Sequence, residues 1–307
     1  MKPKIVVVGS ANTDLVVKVK HLPAPGETVL GGNYMIAQGG KGANQAVAAA
    51  RLGADVTLIA RLGQDAFGNE SFAAYQAEGI DTSYIFRDDS APSGVALIMV
   101  NQAGENIISV APGANSKLSP ADILAAEAVI READCVLTQL EIPVETVQAV
   151  VDLAEKHGVR TILNPAPAAP LPSELLAKVD VLTPNETEAA ELAGNYSQAH
   201  AREAVSMLKT RFHVKNIVMT MGKNGAMIAG FQPKILPAYQ VASVDTTGAG
   251  DAFNAGLAVA LASGATLVNA VRFACAVAAL STTRPGAQPS MPVSKEVDDF
   301  VVHHPKT

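Results

Sequence analysis

Asp245-Thr246-Thr247-Gly248-Ala249-Gly250-Asp251-Ala252-Phe253-Asn254-Ala255-Gly256 sets small residues between two carboxylates and leads straight into an apolar, small-residue run of helical character. Small residues let a backbone approach a ligand closely, and a helix start leaves N–H groups unsatisfied. With the positive end of the helix dipole, those donors at residues 248–250 make an anion pocket. Asp251 stands at its mouth, where a carboxylate is a poor neighbour for a bound anion. A base that must take a proton beside a phosphate explains the placement. An Asp N-cap on an ordinary glycine-rich loop is the plainer alternative.

Outward from this stretch, short β-branched runs alternate with helical patterns. Residues 4–8 predict a buried first strand, and Gly39-Gly40-Lys41-Gly42 opens a helix over 43–52 that Gly53 ends. From residue 55 the order strand, helix, strand, helix predicts a mostly parallel α/β sheet flanked by helices. Ser119-Pro120 marks another helix start, and strands are expected at 135–140, 161–163, 179–182 and 216–220. Runs at 94–100 and 106–110 form a hairpin instead of a crossover. With 15–19 and 28–36 they predict a small antiparallel lid, built from insertions at about 12–38 and 93–111 in one domain spanning 1–307. Val16, Val29, Ile98 and Ile108 on those short strands cannot all be buried, so a homodimer paired through the lids is expected.

Composition narrows the classes. The 307 residues are 49% hydrophobic and 17% charged, which marks a globular chain. A net charge of -6 and the absence of Trp argue against a nucleic-acid binder. No apolar run is long enough to span a membrane, and the one at 5–8 breaks too early for a signal segment. Cys135 and Cys275 lie in apolar runs without metal-ligand spacing, so a reducing, cytoplasmic setting is expected. Walker A fails at both Gly-Lys pairs, Gly40-Lys41 and Gly222-Lys223. No G-x-G-x-x-G follows the first strand, and no G-x-S-x-G elbow or zinc spacing occurs. Asn12, Asp14, Glu141, Asn185 and Asp251 each follow a strand or open the next helix, the edge at which open α/β sheets bind ligands.

Gly39-Gly40-Lys41-Gly42-Ala43-Asn44-Gln45-Ala46 and the 245–256 stretch resemble the two signatures of the pfkB family of carbohydrate kinases, and Asn185-x-x-Glu188 resembles its N-x-x-E motif. Asn12-Thr13-Asp14, Pro25-Gly26-Glu27-Thr28, Asn164-Pro165-Ala166-Pro167 and Gly286-Ala287-Gln288-Pro289-Ser290 are similar to its ribose-phosphorylating branch, over nearly the whole chain. The resemblance implies a ribokinase-like (Rossmann-like) fold and ATP-dependent phosphorylation of D-ribose at the 5-hydroxyl. Asp251 would be the base, with the amides of Gly248, Ala249 and Gly250 as the anion hole. Asn12, Asp14, Gly40, Lys41, Asn44 and Glu141 would hold the sugar with Asp251, Gly40 and Gly42 clearing room for it.

For ATP the resemblance implies Asn185, Thr220, Gly222, Lys223, Gly225, Gly250 and Asp251, with Cys275 where a relative can carry His near the adenine. Glu188 would act on Mg²⁺ through water, because Mg²⁺ keeps much of its hydration shell. An activating K⁺ is implied at Asp245, Thr247, Ser281, Arg284, Gly286 and Ser290, mostly through carbonyls. Sister kinases acting on deoxyribose, fructose or a ketodeoxy acid, and a catalytically silent sugar-binding regulator, remain alternatives. A nucleoside kinase is disfavoured, since the hairpin strands carry no aromatic to clamp a base.

Overall fold

The structure is a computed structural model, described for residues 2–194, 201–230 and 232–304. β1 (Lys4–Val8) is apolar on both faces: Ile5 and Val7 join one core cluster, Val6 and Val8 the other. Such a strand belongs in the middle of a parallel sheet covered on both sides. Around it lie β4 (Asp55–Gly63), β5 (Ile85–Asp88), β8 (Cys135–Thr138), β9 (Arg160–Leu163) and β10 (Val181–Leu182). The six-stranded sheet runs in the order β10-β9-β8-β1-β4-β5, each pair parallel. Parallel bridges from Leu182 to Ile217 and Asn185 to Thr220 carry it on to β11 (Val218–Thr220). Antiparallel β12 (Ala226–Ile228) and β13 (Lys234–Leu236) complete that flank.

One face is covered by α1 (Lys41–Arg51), α2 (Ala66–Ala77), α9 (Ala249–Ala262), α10 (Leu267–Ser281) and α11 (Ser294–His303). The other carries α3 (Pro120–Ala125), α4 (Glu127–Arg131), α5 (Val144–His157), α6 (Ser173–Lys178), α7 (Glu186–Leu192) and α8 (Ala201–Phe212). α9 is buried from Asp251 through Val259, as a helix apolar all round must be. Ser119 caps α3 in a reciprocal box with Asp122, behind Pro120 at the first turn. No helix among the described residues is long and apolar enough to cross a membrane.

A separate four-stranded sheet takes the order β3-β2-β6-β7, from β2 (Asn12–Lys18), β3 (Tyr34–Gly39), β6 (Gly94–Val100) and β7 (Asn106–Ala111). Its two hairpin pairs are antiparallel, but the central pair β2–β6 is parallel, from Asn12↔Gly94 to Lys18↔Val100. Both strands leave the same edge of the main sheet, one after β1 and one after β5, so they run the same way. The strand expected at 28–36 begins later, at Tyr34. Instead Lys18 pairs with residues 32 and 33, and Leu30 projects into solvent at 92% exposure. Of the four apolar residues singled out in the lid, Val16, Val29 and Ile98 are half-buried and Ile108 is exposed. Tyr34, Ile36, Leu97, Ile107 and Val110 are exposed beside it.

Candidate active site

α9, like α1 beside it, starts on a positive-φ glycine without a side-chain cap. Side chains cap α2, α3, α7 and α10, whereas the first residue before α9 is Gly248 at φ 75°, with no side-chain cap. Left-handed backbone is easy for glycine, and a Cβ there would press on Ala287 at 3.1 Å. Asp251 is therefore not the N-cap but the third residue of the helix. Its carboxylate points into the protein, accepting from Asn44 Nδ2 and Gln45 Nε2, each at 2.9 Å. The Gly250 position is open, while the Ala249 amide turns back to the Thr246 carbonyl at 3.2 Å. Of the three expected anion-hole amides, that one is already engaged.

α1 delivers the other half. Lys41 opens the helix and Asn44 follows one turn on; the Lys41 ammonium faces Asp251, Glu141 and Glu188. Burial alone would push Lys41 down, but those carboxylates outweigh it and hold it above its ordinary value. Asp251 is pushed up by burial, against the opposing pull of Lys41, Asn44 and Gln45. Asp14 is raised to about 6, first by burial and then by the charges of Glu141 and Asp251. Glu141 Oε2 accepts from Ser10 Oγ at 2.6 Å and from the Lys41 amide at 3.2 Å. Asn12 Oδ1 accepts from Asn115 Nδ2 at 2.7 Å, which leaves the Asn12 amide NH₂ as its free-facing end.

The glycines here do something other than expected. A Cβ on Gly42 would strike the Gly9 backbone, and one on Gly40 the backbone of residues 10–12. They let α1 lie against the β1–β2 turn; they do not clear space for a ligand. The room for pocket side chains comes from Gly39, under the Asp14 carboxylate, and Gly94, under the Asn12 and Asn115 amides.

A second cavity opens beyond the start of α9. Thr220, Gly222, Lys223, Gly225, Gly250 and Cys275, six of the residues expected to meet a nucleotide, all line it. Tyr239, Val241 and Phe253 give it an apolar wall. Asn185 stands next to it by pairing with Thr220, and forms a reciprocal capping box with Glu188: Glu188 N to Asn185 Oδ1 and Asn185 N to Glu188 Oε2, both 2.8 Å. The N-x-x-E pattern is thus a helix cap in its own right, with Glu188 Oε1 outside the box. Burial raises the Glu188 carboxyl, and Lys41 opposes that.

The residues expected around a monovalent cation also converge. Asp245 Oδ1 takes the Thr247 amide and hydroxyl at 2.9 and 2.7 Å, and its Oδ2 takes the Gly286 amide at 2.8 Å. The Ser281 and Ser290 hydroxyls bond their own turns, at Ala278 and Ala287. The Arg284 side chain turns away to Glu296, so only its backbone faces the loop. Among the described residues no cluster of three or more His, Cys, Asp or Glu could hold a metal.

Several site residues escaped sequence reasoning: Ser10, Gln45, Asn115, Gln139 and Asn164, all buried polar groups. Their signal was faint, a polar side chain just past an apolar strand or inside a small-residue helix. Gln45 stood next to Asn44 in the quoted motif but had no chemistry of its own to point to.

An acceptor pocket and a donor cavity that meet across one buried aspartate are the layout of a small-molecule kinase. The pfkB family carbohydrate kinase model matches residues 2–294, and the chain belongs to that family. It is 43% identical to a ribokinase of Haemophilus influenzae over 99% of this chain and 100% of the other. It is 36% identical to a deoxyribokinase of Salmonella typhimurium, covering 97% and 98% of the two chains. A solved Arabidopsis thaliana ribokinase complexed with ribose and ATP superposes with a TM-score of 0.90 at 36% identity, covering 98% of this chain and 99% of that one.

Proposed function

We propose that the chain transfers the γ-phosphoryl group of ATP to the 5-hydroxyl of D-ribose, giving ribose 5-phosphate and ADP, in the cytoplasm. The observation that carries this is Asp251: a buried carboxylate braced by two amides, facing Lys41, at the uncapped start of α9. The pocket around it offers carboxylates at Asp14 and Glu141 and amides at Asn12 and Asn44, the groups a polyhydroxylated sugar needs. Asp251 takes the hydroxyl proton late, as the oxygen attacks phosphorus and becomes acidic, because phosphoryl transfer asks for positioning more than for a strong base. The amides of Gly248 and Gly250 then meet the charge on the transferred group, the Ala249 amide being held by the Thr246 carbonyl.

The cavity with an apolar wall of Tyr239, Val241 and Phe253 fits an adenine at one end and phosphates beside Gly250 at the other. Mg²⁺ neutralises those phosphates when bound. Glu188 suits a contact through water, since its Oε2 is committed to the cap and its Oε1 is not. K⁺ fits the loop that Asp245 ties to Gly286, where a carboxylate and turn carbonyls supply hard oxygen donors. Two chains pair through the exposed apolar faces of their lids.

The deciding assay is ADP release with ATP·Mg²⁺ on ribose, deoxyribose, fructose, 2-keto-3-deoxygluconate and adenosine, each with and without K⁺. Ribose preferred by a wide margin, and faster with K⁺, supports both the sugar pocket and the cation loop. A different sugar winning overturns the assignment of Asn12, Asp14 and Glu141. Binding without turnover returns the chain to a silent regulator.

A further inference from the structure

Below the pocket a row of amides runs along the carboxyl edge of the sheet. Gln139, Asn164 and Thr183 are each the first residue past adjacent strands β8, β9 and β10. A carboxylate only accepts hydrogen bonds, so the side-chain nitrogen of Gln45 must face Asp251, and that choice orders the rest. Gln45 Nε2 gives one hydrogen to Asp251 Oδ1 at 2.9 Å and the other to Asn164 Oδ1 at 3.2 Å. Gln45 Oε1 then accepts from Gln139 Nε2 at 2.5 Å, and Asn164 Nδ2 passes on to the Thr183 carbonyl at 3.2 Å. Thr183 bonds Asn254 on α9, whose Nδ2 returns to the Gly250 carbonyl at 2.9 Å. Gln45 and Gln139 have no exposed surface, so neither can read a sugar directly.

We infer that Gln45 is a positioning residue for phosphoryl transfer: its amide, locked by Gln139 and Asn164, fixes the rotation of the Asp251 carboxylate and aims its remaining lone pairs at the acceptor hydroxyl. The inference rests on Asp251 being the base. Asn44 alone, holding Oδ2, would leave the carboxylate free to turn about its Cβ–Cγ bond. Gln139 Oε1 and Asn44 Oδ1 are buried without a partner, so the hold on Asp251 rests on the bonds that are made, and the nitrogen ends of both amides that meet Asp251 point at its charge. The charged groups facing Asp251 are Lys41 on α1, Glu141 beyond β8, Asp14 on β2 and Glu188 on α7. Against that background, loss of a donor to a carboxylate shifts its titration upward by about one pH unit.

The test replaces Gln45 with Met, which keeps the length and removes the donor, and Gln139 with Met, which loosens Gln45 from behind. Aspartate labelled with ¹³C at the carboxyl reports Asp251, its resonance assigned by loss in Asp251→Asn. Gln45→Met, folded by circular dichroism, is expected to titrate about one unit higher at Asp251. Its kcat falls by about 10- to 100-fold, with the KM for ATP within about twofold of the parent protein. Gln139→Met moves both in the same direction, by less. An unmoved Asp251 titration with unchanged kcat in folded Gln45→Met overturns the inference, and Gln139→Met decides in the same way should Gln45→Met fail to fold. Near-normal turnover in Asp251→Asn removes the base assignment itself and the inference with it. An inactive Asp251→Asn beside an unaffected Gln45→Met removes the inference alone.

Discussion

Asp14 shows how one side chain is tuned by its neighbours. Burial, with Glu141 and Asp251 close by, raises its carboxyl to about 6, so it is ionised at neutral pH and protonated just below. The ionised form accepts two hydroxyls, and the neutral form spends one oxygen on its own proton. The KM for ribose, measured at saturating ATP, is therefore expected to rise by about tenfold between pH 7 and pH 5. Asp14→Asn should start high and stay flat across that range; a parallel slope in both proteins would assign the titration elsewhere. Asn115 acts one step back, donating to Asn12 Oδ1 and to the Ala11 carbonyl, and accepting from the Ala11 amide. Asn115→Asp turns the donor into an acceptor, which forces the Asn12 amide to flip and present oxygen to the sugar. Steady-state kinetics should show the KM for ribose up by about tenfold or more, with that for ATP unchanged.

At the scale of elements, α7 separates structural from catalytic use of one motif. Glu188→Gln keeps an acceptor for the Asn185 amide and removes the charge, so Tm should barely change while the Mg²⁺ concentration needed for half-maximal rate rises several-fold. Asn185→Ala loses the cap and costs about 1 kcal/mol by denaturant unfolding. Equal stability loss in both variants would mean that Glu188 serves the helix alone. How far such elements were legible varied. The hairpin of β6 and β7, the capped start of α3 and the strands of the parallel sheet follow from alternation and turn residues that act locally. β3 did not, because Thr28, Val29 and Leu30 look like strand yet lie before the stretch that pairs with β2, which begins with Gly32 and Asn33 at Lys18 and becomes a ladder only from Tyr34. Gly42 was legible as a glycine that must stay small, but not what it stays small for, since the Gly9 backbone is brought there by packing. Asn164 and Thr183 follow two expected strands directly, Gln139 fell inside the strand expected at 135–140, which ends at Thr138, and only the sheet order makes the three neighbours.

At the scale of the molecule, most of the exposed large apolar side chains among the described residues lie on or beside the lid. Tyr34, Ile36, Leu97 and Ile107 are all exposed on one face of that sheet, whereas Ile108 and Val110 lie on the face that carries Asn12 and Asp14. Leu97→Lys combined with Ile107→Lys, both on that outer face, should convert the proposed dimer to a monomer in sedimentation velocity runs at micromolar concentration, with the fold intact by circular dichroism. A parent protein already monomeric would end the dimer proposal.

Asn12 and Asp14 are not merely near the lid; they are the first and third residues of β2, paired through its backbone to β3 and β6. Any swing of that sheet away from the body must carry both side chains with it, while Lys41, Asn44 and Asp251 stay behind on α1 and α9. An open molecule then has a base and a nucleotide cavity but only half a place for an acceptor. If a sugar joins the two halves where a single water is too small to bridge them, ATP hydrolysis without sugar should be far slower than transfer, and ADP release with and without ribose checks that.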